Sequence, residues 1–251
     1  MAKEEMDARE EKEAAGKIVV KSPFLKWLDN FWYHHKWGVI IGALFLLTFI
    51  VCFAQCASRD LSDVYVTFAG GASLDEEAQA DFEEVLNSVA KKTDETKDVK
   101  VGISSHLYYS AEELDAQFTD EKTGEVNKGD HSYTNAVKYN ADRLGNVKSY
   151  FETGECAVWF LSEAAYNDLM LTKNDFAASL KSSLGYIPDG AYDEYAVYLV
   201  ETEFYEYYQD KLKALPEDTL IVLTIPLLYS NEKTYEQSKA LYRAILNFEA
   251  P

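Results

Sequence analysis

The chain is poor in cysteine and histidine. It holds three cysteines in 251 residues, and only Cys156 lies in the long segment beyond residue 60. No intrachain disulfide can form within that segment, and no Cys-type zinc site can be built there. Cys156 sits in the apolar run Cys156-Ala157-Val158-Trp159-Phe160-Leu161 and reads as a small buried hydrophobe. Of four histidines, only His106 and His131 lie beyond residue 60. The motifs of zinc proteases, nucleophile-elbow hydrolases and phosphate-binding loops are missing. Basic residues are scarce too, with 24 Lys and Arg against 43 Asp and Glu. The excess is concentrated in residues 60–251, which carry 16 basic and 36 acidic side chains, a net of −20. Such a segment is repelled by nucleic acid and by anionic lipid, so no nucleic-acid partner is expected.

What the chain does have is one long apolar run. Trp37 to Ser58 is 22 residues without a charge. As a helix it would be roughly 33 Å long, enough to cross a bilayer. Lys17, Lys21, Lys26 and Lys36 precede it, whereas Arg59 follows it beside Asp60 and Asp63. The positive-inside rule then predicts a cytoplasmic N-terminus and an extracellular C-terminal domain. The run lies too far along the chain for an ordinary signal peptide. A lipoprotein is the competing reading, because Phe53-Ala54-Gln55-Cys56 loosely resembles a lipobox, although Gln55 is bulky for that pattern.

The expected organisation follows from this. Residues 1–21 form a cytoplasmic tail, polar over its first 17 residues and predicted to be disordered. Residues 22–36 form an interfacial amphipathic helix, started by Ser22-Pro23, with Phe24, Trp27, Leu28, Phe31 and His35 on one face. Trp27, Phe31, Trp32, Tyr33 and Trp37 anchor it to the lipid bilayer. Residues 37–57 span the membrane, and residues 60–251 form the outer domain.

In the outer domain, apolar runs alternate with amphipathic stretches. Strands are predicted at Asp63–Ala69, Val99–Ser104, Cys156–Leu161, Tyr195–Val200 and Thr219–Ile225. Helices are predicted after Ser73, with Glu76 completing a capping box, and from Ser132 to Phe151 with Val137, Ala141, Val147 and Phe151 inward. Further helices follow Ser162, Phe204 and Asn231, while residues 119–131 and 171–190 read as loop. The expected fold class is α/β, a sandwich of helices around a mostly parallel sheet.

Ligands of open α/β sheets sit beyond the carboxyl ends of the strands. That nominates Gly70, Gly71, Ser104, Ser105, His106, Ser162 and Glu163 as candidate ligand-binding residues. Gly70-Gly71 before a helix suits an anion, but Asp75, Glu76 and Glu77 oppose one, so a small neutral or cationic solute is expected. No cofactor or metal is expected. The tyrosines between Tyr192 and Tyr208 offer a sugar- or peptide-binding face or a protein interface, against a default of core packing.

The collar Phe31-Trp32-Tyr33-His34-His35-Lys36-Trp37, running straight into the apolar segment, resembles that of uncharacterised single-span membrane proteins of low-GC Gram-positive bacteria. The stretch Gly154-Glu155-Cys156-Ala157-Val158-Trp159-Phe160-Leu161-Ser162, with Tyr166 and Leu169, is similar to part of the type 2 extracellular solute-binding proteins. That resemblance implies a lobe like those of periplasmic binding proteins, although a full two-lobe protein is much longer. The leading expectation is a membrane-anchored, non-enzymatic interaction protein of the cell envelope with an envelope or membrane protein partner. A tethered solute-binding or sensing module for a transporter is the alternative, and an envelope hydrolase acting through Ser105 or nearby carboxylates is a weaker one.

Overall fold

A computed structural model describes residues 22–57, 62–90, 99–172, 176–227 and 230–251. The expected tail 1–21 and the charges at Arg59 and Asp60 lie outside the described residues, as does the side chain of Cys56 on which the lipoprotein reading rests. The chain divides into two compact units, Met1–Leu61 and Ser62–Pro251.

The first unit contains helix α1, Pro23–Ala57, 35 residues long. At about 1.5 Å per residue it measures roughly 52 Å. Collar and apolar run form this one helix rather than two, since no proline follows Pro23 within it. Its segment Trp27–Gln55 has a mean hydropathy of 2.5 in its most apolar window, none of which is buried. Aromatic rings stack along one face: Phe24 on Trp27 at 6.1 Å, Trp27 on Phe31 at 5.6 Å, Phe31 on His35 at 5.0 Å. The Thr48 hydroxyl is satisfied by donating to the Leu44 carbonyl at 2.9 Å. Trp27, Trp32, Tyr33 and Trp37 are all exposed.

The second unit is a mixed α/β fold on a five-stranded sheet of order β2-β1-β3-β5-β4. The strands are β1 (Val64–Gly70), β2 (Val101–Leu107), β3 (Cys156–Ser162), β4 (Ala196–Tyr198) and β5 (Thr219–Leu223). β1 pairs in parallel with β2 and β3, whereas β5 runs antiparallel to both β3 and β4. The helices are α2 (Glu76–Ala90), α3 (Ala111–Gln117), α4 (His131–Thr153), α5 (Glu163–Thr172), α6 (Leu180–Leu184), α7 (Glu203–Leu212) and α8 (Glu232–Leu246). One sheet face presents Val66, Phe68, Val158, Phe160 and Ile221 to Phe82, Leu86, Phe204 and Tyr242 of α2, α7 and α8. The other presents Trp159, Leu161, Leu220 and Val222 to Phe151 of α4, Tyr166 and Leu169 of α5, and Phe176. Cover on both faces explains why β3 and β5 read as unbroken apolar runs and are buried throughout.

Four local expectations are corrected. The cap of α2 is Asp75, whose Oδ1 accepts from the Ala78 amide at 2.8 Å, not Ser73. The second strand runs to Leu107, so Ser104, Ser105 and His106 lie inside it rather than beyond its end. On α4 the expected inward residues Val137 and Ala141 are exposed, and only Asn140, Val147 and Phe151 are buried. A helix absent from the sequence reading, α3, starts on a true capping box between Ser110 and Glu113.

Candidate functional site

Four of the seven nominated residues come together at the ends of β1 and β3. The two strands are paired, with Ala69 opposite Leu161. A Cβ on Gly70 would lie 3.2 Å from the Cβ of Ser162, so a side chain there would push the strand ends apart by a few tenths of an ångström. A side chain at Gly71 would collide with the Glu113 carboxylate, which rests against its Cα. Glu113 is held there by its own helix, since its Oε2 accepts from the Ser110 amide at 2.7 Å. Ser162 is buried, and its Oγ accepts from the Ala165 amide at 3.3 Å, which starts α5.

Glu163 is the hub. Its Oε1 accepts from the Tyr192 hydroxyl and its Oε2 from the Tyr198 hydroxyl, each at 3.2 Å. Tyr192 also exchanges hydrogen bonds with the Asn167 amide, at 3.1 and 3.4 Å. The Glu163 amide donates to Asp218 Oδ2 at 3.3 Å. Burial raises the Asp218 pKa, and the charges of Glu113 and Glu163 push it further the same way. Three carboxylates therefore share one electrostatic environment at the strand ends. Such a field disfavours an anion beside Gly71 and favours a cation or a hydroxyl-rich neutral ligand. Two further tyrosine–carboxylate bonds stand nearby on α5, Tyr166 to Asp193 at 2.5 Å and Tyr108 to Asp168.

Sequence reasoning did not find Asp218, Glu113, Tyr192 or Tyr198 as members of this cluster. Asp218 precedes β5, and a parallel β5 would have carried it to the far edge of the sheet. The antiparallel pairing puts Thr219 opposite Ser162 and brings Asp218 to Glu163.

Asp218 gives a test. A carboxyl with a raised folded pKa is penalised when ionised, so its cost is present at neutral pH and fades as pH falls through the folded value toward the ordinary one. Asp218→Asn keeps an oxygen for the Glu163 amide and removes the charge. Thermal melts should show a rise of about 1–3 °C at pH 7 that disappears near pH 4. A lower melting temperature, equal at both pH values, would mean that the hydrogen bond outweighs the crowding.

The other three nominated residues form a separate feature. Ser104 and His106 point to the same side of edge strand β2, with Ser104 Oγ 3.1 Å from His106 Nε2. The His106 ring lies 5.2 Å from that of Tyr150, and burial lowers its pKa. Ser105 alternates to the opposite side and is exposed, so a serine–histidine contact runs through Ser104 and not Ser105. Among the described residues no carboxylate hydrogen-bonds His106, and no group of His, Cys, Asp and Glu is arranged to hold a metal ion.

Recesses lie elsewhere. A groove of about 510 Å³ is lined by Glu201, Glu203, Tyr205, Glu206 and Glu217 among others. A second recess of about 340 Å³ shares Glu201, Thr202 and Glu203 with it. Glu217, which lines the larger groove, is the chain neighbour of Asp218. Comparison of the chain with protein-family models, with curated proteins and with solved structures finds no match.

Proposed function

We propose that this chain is a membrane-anchored, non-enzymatic interaction protein of the cell envelope. α1 crosses the bilayer with the N-terminus in the cytoplasm, and Ser62–Pro251 binds a protein partner outside. The observation that carries this reading is the unburied apolar segment of α1, 29 residues from Trp27 to Gln55, joined to a separately compact acidic unit. A helix this apolar is stable only in lipid or within a protein core, and among the described residues none of its most apolar window is buried. Lysines before the span and aspartates after it support the orientation. Nothing in the strand-end cluster requires chemistry, because its hydroxyls, amides and carboxylates bind one another.

A second reading is favoured by the convergence of Gly70, Gly71, Ser162 and Glu163. In it the outer unit is a tethered solute-binding or sensing module whose neutral or cationic ligand replaces the Tyr192 and Tyr198 hydroxyls on Glu163.

Impermeant maleimide labelling of intact cells tests the orientation. Tyr139 is 64% exposed, so Tyr139→Cys offers a reactive thiol, while burial pushes the Cys156 thiol up to about 12 and keeps it silent. With Cys52 and Cys56 both replaced by serine, Tyr139→Cys is expected to label without permeabilisation, and Lys3→Cys only after it. The opposite pattern would place the acidic unit in the cytoplasm and overturn the proposal.

A further inference from the structure

The two edges of the sheet are finished differently. At β4 the chain folds back over its own edge: the Tyr192 amide donates to the Ala196 carbonyl at 2.9 Å, and the Tyr198 amide to the Gly190 carbonyl at 3.1 Å. At β2 the Lys100 carbonyl accepts from the Val64 amide and the Tyr108 amide donates to the Gly70 carbonyl, so even-numbered residues address β1. Backbone groups alternate in direction along a strand, so Val101, Ile103, Ser105 and Leu107 turn their amides and carbonyls outward. α2 closes the start of that edge. Asn87 accepts from the Val101 amide at 2.8 Å and donates to its carbonyl at 3.4 Å, and Glu83 accepts from the Ile103 amide at 3.3 Å. Beyond this, the Ile103 carbonyl, both backbone groups of Ser105 and the Leu107 amide bond no described residue.

Unpaired edge groups are a template for another strand, and edges that must stay single carry lysine, proline or a bulge. The open stretch Ile103-Ser104-Ser105-His106-Leu107 has no lysine and no proline, and it keeps an unbroken register with β1. Ser105 is exposed, so no large side chain stands over its middle. The unpaired groups also have a symmetry. They are centred on Ser105, with the Ile103 carbonyl on one side and the Leu107 amide on the other. A second β2, laid antiparallel across a twofold axis at Ser105, satisfies all of them. The two Ser105 residues exchange amide and carbonyl, and each Leu107 amide meets the other copy's Ile103 carbonyl. The Ile103 amide passes from Glu83 to the arriving Leu107 carbonyl.

We infer that the outer unit pairs with a second copy of itself through β2, joining two five-stranded sheets into one continuous sheet about a twofold axis at Ser105. Where α1 holds both copies in one membrane, the encounter is favoured, since tethering raises the effective concentration. Residues 60–251 of each copy carry a net charge of −20, so long-range repulsion opposes the pairing, and salt that screens it tightens the dimer.

Disulfide cross-linking of the full chain in membranes tests the register. In an antiparallel hydrogen-bonded pair the Cα atoms lie about 5.5 Å apart, inside the range of about 4.4–6.8 Å that a disulfide bridges. With Cys52 and Cys56 replaced by serine and Cys156 buried, Ser105→Cys is expected to give a covalent dimer under mild oxidant. Glu121→Cys, in the exposed 119–131 loop, is expected to give none. Light scattering of the full chain in non-ionic detergent should show a dimer whose dissociation constant falls as salt rises from about 0.05 M to about 0.5 M. Ser105→Pro removes the outward amide at the axis, which β1 does not use, and should weaken the dimer about tenfold or more. Ser105→Glu and Ser105→Lys should each weaken it, because like charges then face each other across the axis, and a mixture of the two variants should restore it. A folding defect would not be rescued by mixing. A monomer, equal cross-linking at both cysteine positions, or a dimer indifferent to every change at Ser105 would each overturn the inference. None of these results touches the membrane orientation, which the labelling pattern decides.

Discussion

Replacing Trp159 by alanine should cost about 3–5 kcal/mol, the range for emptying a buried aromatic site. Trp159 sits in the middle of β3, the central strand, with none of its surface exposed. Its ring meets Tyr150 at 6.0 Å, Phe151 at 6.3 Å and Phe176 at 5.7 Å, so it links α4 and the loop before α6 to the sheet. Its indole N–H is satisfied, donating to the Cys156 carbonyl at 3.1 Å. Alanine would leave a cavity among rings that cannot collapse to fill it without disturbing the contact of Phe151 with Phe176 at 4.7 Å. For a unit of this size each kcal/mol lowers the melting temperature by roughly 2–4 °C, so a loss of about 6–20 °C is expected. Thermal unfolding of the full chain followed by near-ultraviolet circular dichroism reads it directly. Tyr139→Ala on α4, a similar truncation at an exposed site, should move the transition by less than about 2 °C, as surface changes do. If Trp159→Ala melted with Tyr139→Ala, α4 would not be packed on this face of the sheet.

The strand that carries Trp159 was plain in the sequence, because seven contiguous residues without charge, bounded by Gly154-Glu155 and Glu163, fit a strand covered on both faces. The direction of β5 was not. Apolar content marks Thr219–Leu223 as a buried strand but is the same whichever way the strand runs, so it does not place Asp218 at the site. Strand length failed in another way. The apolar part of β2 ends at Ile103, yet pairing continues with Ser104 opposite Thr67 and His106 opposite Ala69. The extent of a strand is set by its partner as much as by its own residues, and this moved three nominated residues from the strand end into the sheet. On α4, periodicity found a face containing Val137 and Ala141 but could not say whether anything covers it. The contact of Glu113 with Gly71 joins elements 42 residues apart in sequence and leaves no local signal.

Two arginines in the middle of α1 should detach the protein from the membrane. Eleven of the seventeen residues from Gly38 to Ala54 are Val, Ile, Leu or Phe. At about 0.3–0.6 kcal/mol each, they favour insertion by roughly 3–6 kcal/mol in all. One arginine near the helix centre costs about 2.5–3.5 kcal/mol, so Leu47→Arg alone brings insertion close to balance. Leu44→Arg with Leu47→Arg costs about twice that and exceeds the favourable sum. Leu44 and Leu47 are 62% and 59% exposed, so neither substitution disturbs a packed core. The single variant is expected to divide between pellet and supernatant after carbonate extraction of membranes, and the double variant to leave the pellet. The collar does not rescue it, because Trp27, Trp32 and Tyr33 hold a helix at an interface but supply too little apolar area to hold a 28.5 kDa chain there alone. The melting temperature of the Ser62–Pro251 unit should stay unchanged in the double variant, since the two units are separately compact. A double variant that remained fully in the pellet would show that something other than α1 anchors the chain. A double variant whose outer unit melted early would show that α1 contributes to that unit's core instead of to the bilayer.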